Sequence, residues 1–349
     1  MKVKIFGAGS IGNHLAYACR SQSLDVTIYD IDSEALKRTR DEIYPSRYGA
    51  WDANIKLTNS LKSQNDYDFI IIGTPPDSHI DILNSLDLKS IKAVLIEKPL
   101  TFPFDSRLID LINLDKENKT KFFIGYNHIV SKSMTEMGKL LKSKKLGNLI
   151  TLDVEFRERW DGIFKAHPWL DGPSESYLGN YKVGGGATCE HSHAINIWHY
   201  LSIISGNGRV NSVNADLVFK EGEKLDYDSI SFVNLRSENN LVGRVVQDVE
   251  SKPHQKNVIA TCEKGLIKWI CNFSGNSDRI EIIAEGGNQS IDFKKDRKDD
   301  FIIEVQHILN NLSENSNSPI NLNYGIETMK IIDSIFLSDT EKKRQKVLY

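Results

Sequence analysis

Cysteine is scarce. The 349 residues include four, Cys19, Cys189, Cys262 and Cys271, and no two are spaced as CxxC. A chain of this length needs no disulfide framework, so free thiols are expected. Neither sign of charge dominates: Lys plus Arg number 44 and Asp plus Glu 47, a formal net charge of −3. That excludes the strong basic excess of a dedicated nucleic-acid binder. Long apolar runs are also missing. The most apolar, residues 69–73 with their flanks, falls far short of the ~20 residues of a membrane span. The first apolar stretch stops at Gly7, too early for an export signal. The expectation is a cytoplasmic protein with no nucleic-acid or membrane partner. Hydrophobic residues at 40% and charged residues at 26% suit an ordinary globular chain. Its length gives roughly two domains at about 150 residues each.

Strand-like and helix-like segments alternate up to about residue 125. Residues 2–6, 26–29, 68–73, 93–96 and 121–125 read as strands. Residues 11–20, 33–40, 78–86 and 105–114 read as helices, with Ser33 as an N-cap. Phe69-Ile70-Ile71-Ile72 is a continuous apolar run, which suits a strand buried on both faces of a parallel sheet. The order predicts a doubly wound α/β sheet.

The first strand runs into Gly7-Ala8-Gly9-Ser10-Ile11-Gly12, a GxGxxG that opens the first helix. In that context Gly7 permits the tight turn and Gly9 lets backbone N–H groups approach a pyrophosphate. Gly12 allows close helix–sheet packing, and Ser10 and Ile11 complete the turn. The second strand ends at Asp30. A carboxylate there can bond ribose hydroxyls and would repel a 2′-phosphate, so NAD is expected over NADP. Asp32 is a nearby alternative, and Arg38 and Arg40 are candidates for a phosphate. Two further clusters, Thr74-Pro75-Pro76-Asp77-Ser78-His79 and Glu97-Lys98-Pro99, follow later strands. Ligands of open α/β sheets bind outside the carboxyl ends of the strands, so both should face the cofactor.

After residue 125 the pattern changes. A helix at 132–144, a strand at 149–156 and a helix at 191–204 precede six strand candidates between 210 and 283. Helices at 301–312 and 324–337 close the chain, joined by a polar connection at 313–318, and the basic tail 342–344 reads as solvated. Strands gathered after a helix indicate an α+β domain with a mostly antiparallel sheet. The densest reactive cluster is Gly184-Gly185-Gly186-Ala187-Thr188-Cys189-Glu190-His191-Ser192-His193-Ala194-Ile195-Asn196. Glu190 and His193, three apart, would share one side of a helical turn, where the carboxylate can orient the imidazole. Zinc on Cys189, His191 and His193 is an alternative, but no fourth ligand is evident and no metal is expected.

These motifs, together with Gly125-Tyr126-Asn127, resemble the glucose-fructose oxidoreductase/inositol dehydrogenase/MocA (Gfo/Idh/MocA) family. The resemblance implies a Rossmann domain over 1–124. It also implies an α+β domain over 125–349 that binds substrate and mediates assembly into a homodimer or homotetramer, with the last helix free to pack back on the first. It further implies NAD(P)-dependent hydride transfer at a secondary alcohol or ketone of a sugar, sugar acid, cyclitol or nucleotide sugar. The family's catalytic lysine falls on Lys98, its histidine on His193 and the preceding acid on Glu190. Many members place an aspartate four residues before the histidine; here an acid stands three before it. Asn196 stands where an aspartate is common, and His128 where many carry arginine. Cofactor contacts are expected from Gly7, Gly9, Ser10, Ile11, Gly12, Asp30, Thr74, Pro75, His79, Glu97, Lys98 and Asn127. Substrate contacts are expected from Lys98, Tyr126, Arg157, Trp169 and His193, with Arg159, Trp160 and His167 as further candidates. An NAD-dependent glycosidase and a non-catalytic sugar or NAD sensor are the competing functions.

Overall fold

A computed structural model describes residues 1–61, 66–165, 167, 169–313 and 317–349; residues 314–316 of the polar connection lie outside them. The chain divides into two units. The first comprises Met1–Thr101, Ser106–Asn127 and Arg297–Asn323; the second Phe102–Asp105, His128–Asp296 and Tyr324–Tyr349. The segment that returns to the first unit is therefore Arg297–Asn323, and most of the final helix stays with the second.

The first unit is built on six parallel strands: β1 (Lys2–Phe6), β2 (Asp25–Tyr29), β3 (Lys56–Thr58), β4 (Phe69–Ile72), β5 (Ala93–Ile96) and β6 (Lys121–Ile124). Their order is β3-β2-β1-β4-β5-β6, the doubly wound arrangement in which β1 and β4 meet at the switch point. All four residues of β4 and of β5 are buried, as parallel strands covered on both faces must be. The helix Ser10–Ser21 packs on this sheet, and the returning helix Arg297–Asn310 packs on it in turn, with Phe301 stacked on His14 at 4.5 Å. Asn321 bridges to Phe123, and the Ile124 amide donates to the Ile320 carbonyl.

Local chemistry shifts several boundaries. Asp32, not Ser33, caps the second helix, its carboxylate accepting from the Glu34 amide at 2.9 Å. That helix ends at Arg38 and continues as a π-helical turn, Thr39–Ile43. Residues 105–114 form mainly a 3-10 helix, Ser106–Leu111.

The second unit carries nine strands: β7 (Leu149–Arg157), β8 (Val210–Gly222), β9 (Leu225–Ser237), β10 (Val242–Asp248), β11 (Gln255–Cys262), β12 (Gly265–Ile270), β13 (Ser277–Ala284), β14 (Gly287–Lys294) and β15 (Gln345–Lys346). Their order is β14-β13-β12-β11-β7-β10-β9-β8-β15. Only β7 and β10 pair in parallel. Alternation turns Leu152, Val154 and Phe156 of β7 inward. Against that face lie the helices Lys132–Ser143 and His193–Ile204. Trp198 donates to the Leu152 carbonyl at 2.8 Å, and Trp269 to Ser133 Oγ at 2.9 Å. Both indoles are fully buried, and both N–H groups are satisfied. The other face of β7 shows Asp153 and Glu155, ion-paired to Arg244, beside exposed Phe232 and Val242. Among the described residues, no helix is long and apolar enough to cross a membrane.

Candidate cofactor and substrate sites

The glycine turn of the first unit is shaped by what would collide there. Gly7 has φ +102°, and a Cβ on it would lie 2.7 Å from the Gly73 carbonyl oxygen. A Cβ on Gly12 would lie 2.0 Å from the Gly7 oxygen. A Cβ on Gly9 would meet nothing within 4 Å, so the space above that residue is open. The turn's carbonyls are drawn away from this space: Asn13 Nδ2 donates to the Ala8 and Gly9 oxygens, and Thr39 Oγ1 to Ala8 O at 2.5 Å. Gly9 caps the helix Ser10–Ser21 and adds no side-chain partner for its first amides. An open concavity at a helix N-terminus suits a phosphate.

Asp30 Oδ2 accepts from the Ala8 amide at 2.8 Å, and its Oδ1 from Asp32 N at 2.9 Å. Asp30 thus ties the end of β2 to the turn, and each oxygen keeps a lone pair for a ribose hydroxyl. Arg38 reaches Asp32 at 3.5 Å, and Arg40 grips Asp41 at 2.7 Å. Ser10 Oγ and its carbonyl accept from Arg47 at 2.8 and 2.9 Å. Arg47 is absent from the sequence reading, and no local pattern marks it; it places a cation at the turn. These groups fit a dinucleotide.

Around β4 and β5, Thr74 Oγ1 bonds Ser78 Oγ at 2.6 Å, and Pro75 is exposed. His79 is fully buried, with Nε2 2.8 Å from the Thr74 carbonyl and Nδ1 3.2 Å from that of Leu100. It braces the turn instead of presenting its ring to a ligand. Burial holds its pKa below the usual histidine value, despite the carbonyls that favour the cation. Glu97 is buried and Lys98 partly exposed. A Cβ on Gly125 would lie 2.7 Å from Glu97 Oε1, so the glycine makes room for that carboxylate. Asn127 is mostly buried. Tyr126 is fully buried, which removes it from the expected substrate contacts in this conformation.

In the second unit the helix expected over 191–204 begins two residues later, and a separate short helix precedes it. One helix, Gly186–Glu190, ends before His191, and another, His193–Ile204, begins after Ser192. Glu190 and His193 therefore do not share one helical turn. Tyr177 Oη donates to Glu190 Oε2 at 3.4 Å. The short helix is anchored from below: the Thr188 amide and Oγ1 donate to Asp228 Oδ2 at 2.8 and 2.6 Å. A Cβ on Gly186, whose φ is +84°, would lie 2.0 Å from Asp228 Oδ1. Complete burial lifts the Asp228 carboxyl to about 7, although the bonds from Thr188 oppose the rise. Asn196 donates to Thr328 Oγ1 at 2.9 Å.

His193 meets His128 edge-to-face at 4.7 Å and lies near-parallel to Phe156 at 6.4 Å. Phe156 in turn carries the Lys256 ammonium 5.7 Å from its centroid. Lys256 Nζ contacts Glu158 Oε2 at 2.5 Å, and His254 Nδ1 contacts Oε1 at 3.2 Å. Burial alone would raise the Glu158 pKa, but Lys256, His191 and His254 outweigh it and hold the carboxyl down at about 2. Glu158 is thus ionised at any working pH. It and Lys256 were missed in the sequence because pairing of β7 with β11 brings them together.

Other expected substrate residues lie elsewhere. Arg157 alternates to the opposite sheet face from Phe156, bonding Asp248 at 2.9 Å and facing the Phe232 ring. Trp160 is a core residue, clustered with Leu178, Ala187, Tyr227 and Val249. Arg159 pairs with Asp161 at 3.0 Å. Trp169, 37% exposed, packs edge-on against His167 at 5.2 Å. Cys189 is buried, and no group of three His, Cys, Asp or Glu side chains able to hold a metal ion occurs among the described residues.

Residues 1–126 match the model of an oxidoreductase family with an NAD-binding Rossmann fold, Gfo/Idh/MocA. The chain is 23% identical over 171 residues to an inositol 2-dehydrogenase of Rhizobium meliloti (strain 1021), covering 46% of this chain and 49% of that protein. It is 27% identical over 212 residues to a glycerol-3-phosphate dehydrogenase [NAD(P)+] of Acholeplasma laidlawii (strain PG-8A), covering 59% of each. The matches thus span about half to three-fifths of these relatives' length. An NAD binding oxidoreductase from Klebsiella pneumoniae shares the fold, with a TM-score of 0.79 at 14% identity over 100% of this chain and 99% of that one.

Proposed function

Starting from the match of residues 1–126 to the model of the Gfo/Idh/MocA oxidoreductase family, we propose that the protein is a dehydrogenase. It would transfer a hydride between NAD and a secondary alcohol or ketone of a sugar, sugar acid, cyclitol or nucleotide sugar. The open turn at Gly9, with its carbonyls held back by Asn13 and Thr39, carries this reading. Asp30 at the end of β2 favours NAD over NADP, since a 2′-phosphate would lie against a carboxylate.

When bound, the nicotinamide supplies or accepts the hydride. The chain's own residues handle the proton and the developing charge. His193 is assigned the transfer of the hydroxyl proton, and Lys98 the stabilisation of developing negative charge. His128 and Phe156, flanking the His193 ring, fix its plane. Glu190 tunes the same helix junction from its bond to Tyr177. A cation at Ser10, from Arg47, supports the phosphates.

Two measurements test the proposal. Fluorescence titration should give a lower Kd for NADH than for NADPH; the reverse would overturn the cofactor assignment. A panel of sugars, sugar acids, cyclitols and nucleotide sugars with NAD should yield accumulating NADH for at least one member. Turnover of glycosides without net NADH would replace the dehydrogenase with a redox-neutral glycosidase.

A further inference from the structure

We infer that Glu158 and Lys256 form a hydroxyl-reading pair that selects an uncharged polyol over an anionic one; this rests on the dehydrogenase reading above. The register of β7 against β11 sets Lys256 opposite Phe156 and Gln255 opposite Arg157. One step further along, Glu158 stands opposite His254. By alternation Phe156, Glu158, His254 and Lys256 all point to the sheet face on which His193 lies.

The pair is neither sealed in nor fully solvated: the side chains of Glu158 and Lys256 are 27% and 17% exposed. Its valences are also incomplete. Each Glu158 oxygen meets one cationic or imidazole partner and can accept a second bond, while the Lys256 ammonium has two further N–H groups beyond its contact with Glu158. Neighbouring hydroxyls on a substrate match this set. One can donate to Glu158 and the next accept from Lys256 without separating the two charges.

An anionic substituent fits poorly. It would have to compete with Glu158 for Lys256 and lie against an ionised carboxylate. Farther out, Arg159 and Lys252 are about half exposed and share Asp161 as partner. Solvent and salt screen that small positive excess more than they screen the inner pair.

The test compares a neutral substrate with its acid, myo-inositol and glucose against glucuronate, by steady-state NADH formation and by calorimetric binding in the presence of NADH. Wild type should favour a neutral member by at least about tenfold, in kcat/KM or in Kd. Glu158→Gln keeps the shape but removes the charge; it should raise KM for the neutral member at least about tenfold and shrink the discrimination. Lys256→Met should raise the same KM. NADH affinity should stay within about twofold in both variants, which separates a substrate role from general loss of structure. Preference for glucuronate in wild type, or no change in KM and discrimination in Glu158→Gln, would overturn the inference. NADH formation indifferent to Glu158 would leave the dehydrogenase standing without the pair. Glu158-dependent binding of a neutral polyol without NADH formation would leave the pair standing without the dehydrogenase.

Discussion

The two units offer candidate sites of different material. In the first, the sheet is buried on both faces and the cofactor turn is made of backbone: three glycines, an open helix end, and side chains that hold carbonyls aside. In the second, one sheet face carries the helices and the candidate groups are side chains: His193, Glu158 and Lys256, with a buried aspartate beneath the helix junction. A backbone site tolerates little change of shape and much change of pH. A side-chain site is the converse, since its groups titrate and can be exchanged one at a time.

The largest effect should come from the chemistry. Lys98→Ala and His193→Ala are expected to lower turnover by about 100- to 10,000-fold while NADH Kd moves by less than about threefold. Near-normal turnover in both would dissolve the assignment of roles.

The glycines sharpen the contrast next. Gly9→Ala meets no protein atom, so it should fold normally with its melting temperature nearly unchanged. Yet it should weaken NADH at least about tenfold by filling the phosphate space. Gly12→Ala puts a methyl against the Gly7 carbonyl and should lower Tm as well as affinity. Equal Tm losses in the two variants would deny that the space over Gly9 is reserved for a ligand.

Acid–base behaviour at Asp228 sharpens the comparison further. Asp228 holds its proton up to about pH 7 in the folded chain, against 3.8 for the free group. Its contribution is therefore complete below about 3.8 and is lost as pH climbs through about 7. Thermal melts between pH 4 and 9 should show Tm falling by several degrees from about pH 4 to about pH 7 and levelling off above it, and Asp228→Asn should reduce that fall. A wild-type profile flat from about pH 4 to about pH 7 would contradict it. Glu304, fully buried in the first unit near Glu97 and Asp300, adds a slope in the same direction that Asp228→Asn leaves in place.

The smallest change tests the junction. Thr188→Val keeps the shape but removes the hydroxyl that donates to Asp228, which should cost about 1 kcal/mol by chemical denaturation and disturb kcat more than NADH Kd.

Legibility followed the same division. The glycine turn, and Asp30 at the end of β2, were readable because a nucleotide turn is built from short contiguous segments and its glycines answer to local geometry. Even there, Arg47 escaped notice: its bonds to Ser10 span 37 positions. In the second unit, β14 carries GNQSIDFK and is exposed at nearly every position, so no hydrophobic alternation announces it. Its hydrogen bonds with β13 supply what the sequence pattern lacks. Glu158 follows the end of β7 and Lys256 lies on β11, so they become neighbours only when those two strands pair. The short helix Gly186–Glu190 was not read because five residues with two glycines before it carry no helical periodicity.

The first unit is also discontinuous, and that orders events during synthesis. Its sheet and glycine turn are complete by Asn127, but the segment that covers the helix Ser10–Ser21 and bonds the end of β6 begins at Arg297 and finishes at Asn323. At ribosomal rates of about 5–20 residues per second, the half-built unit waits roughly 10–40 s for its last piece. Throughout that interval His14 lacks Phe301, and an apolar stretch of helix lies bare to chaperones and proteases. Fragments ending near residue 127 should therefore be captured or degraded more readily than the full chain. The dinucleotide unit, first to be written, is among the last to close.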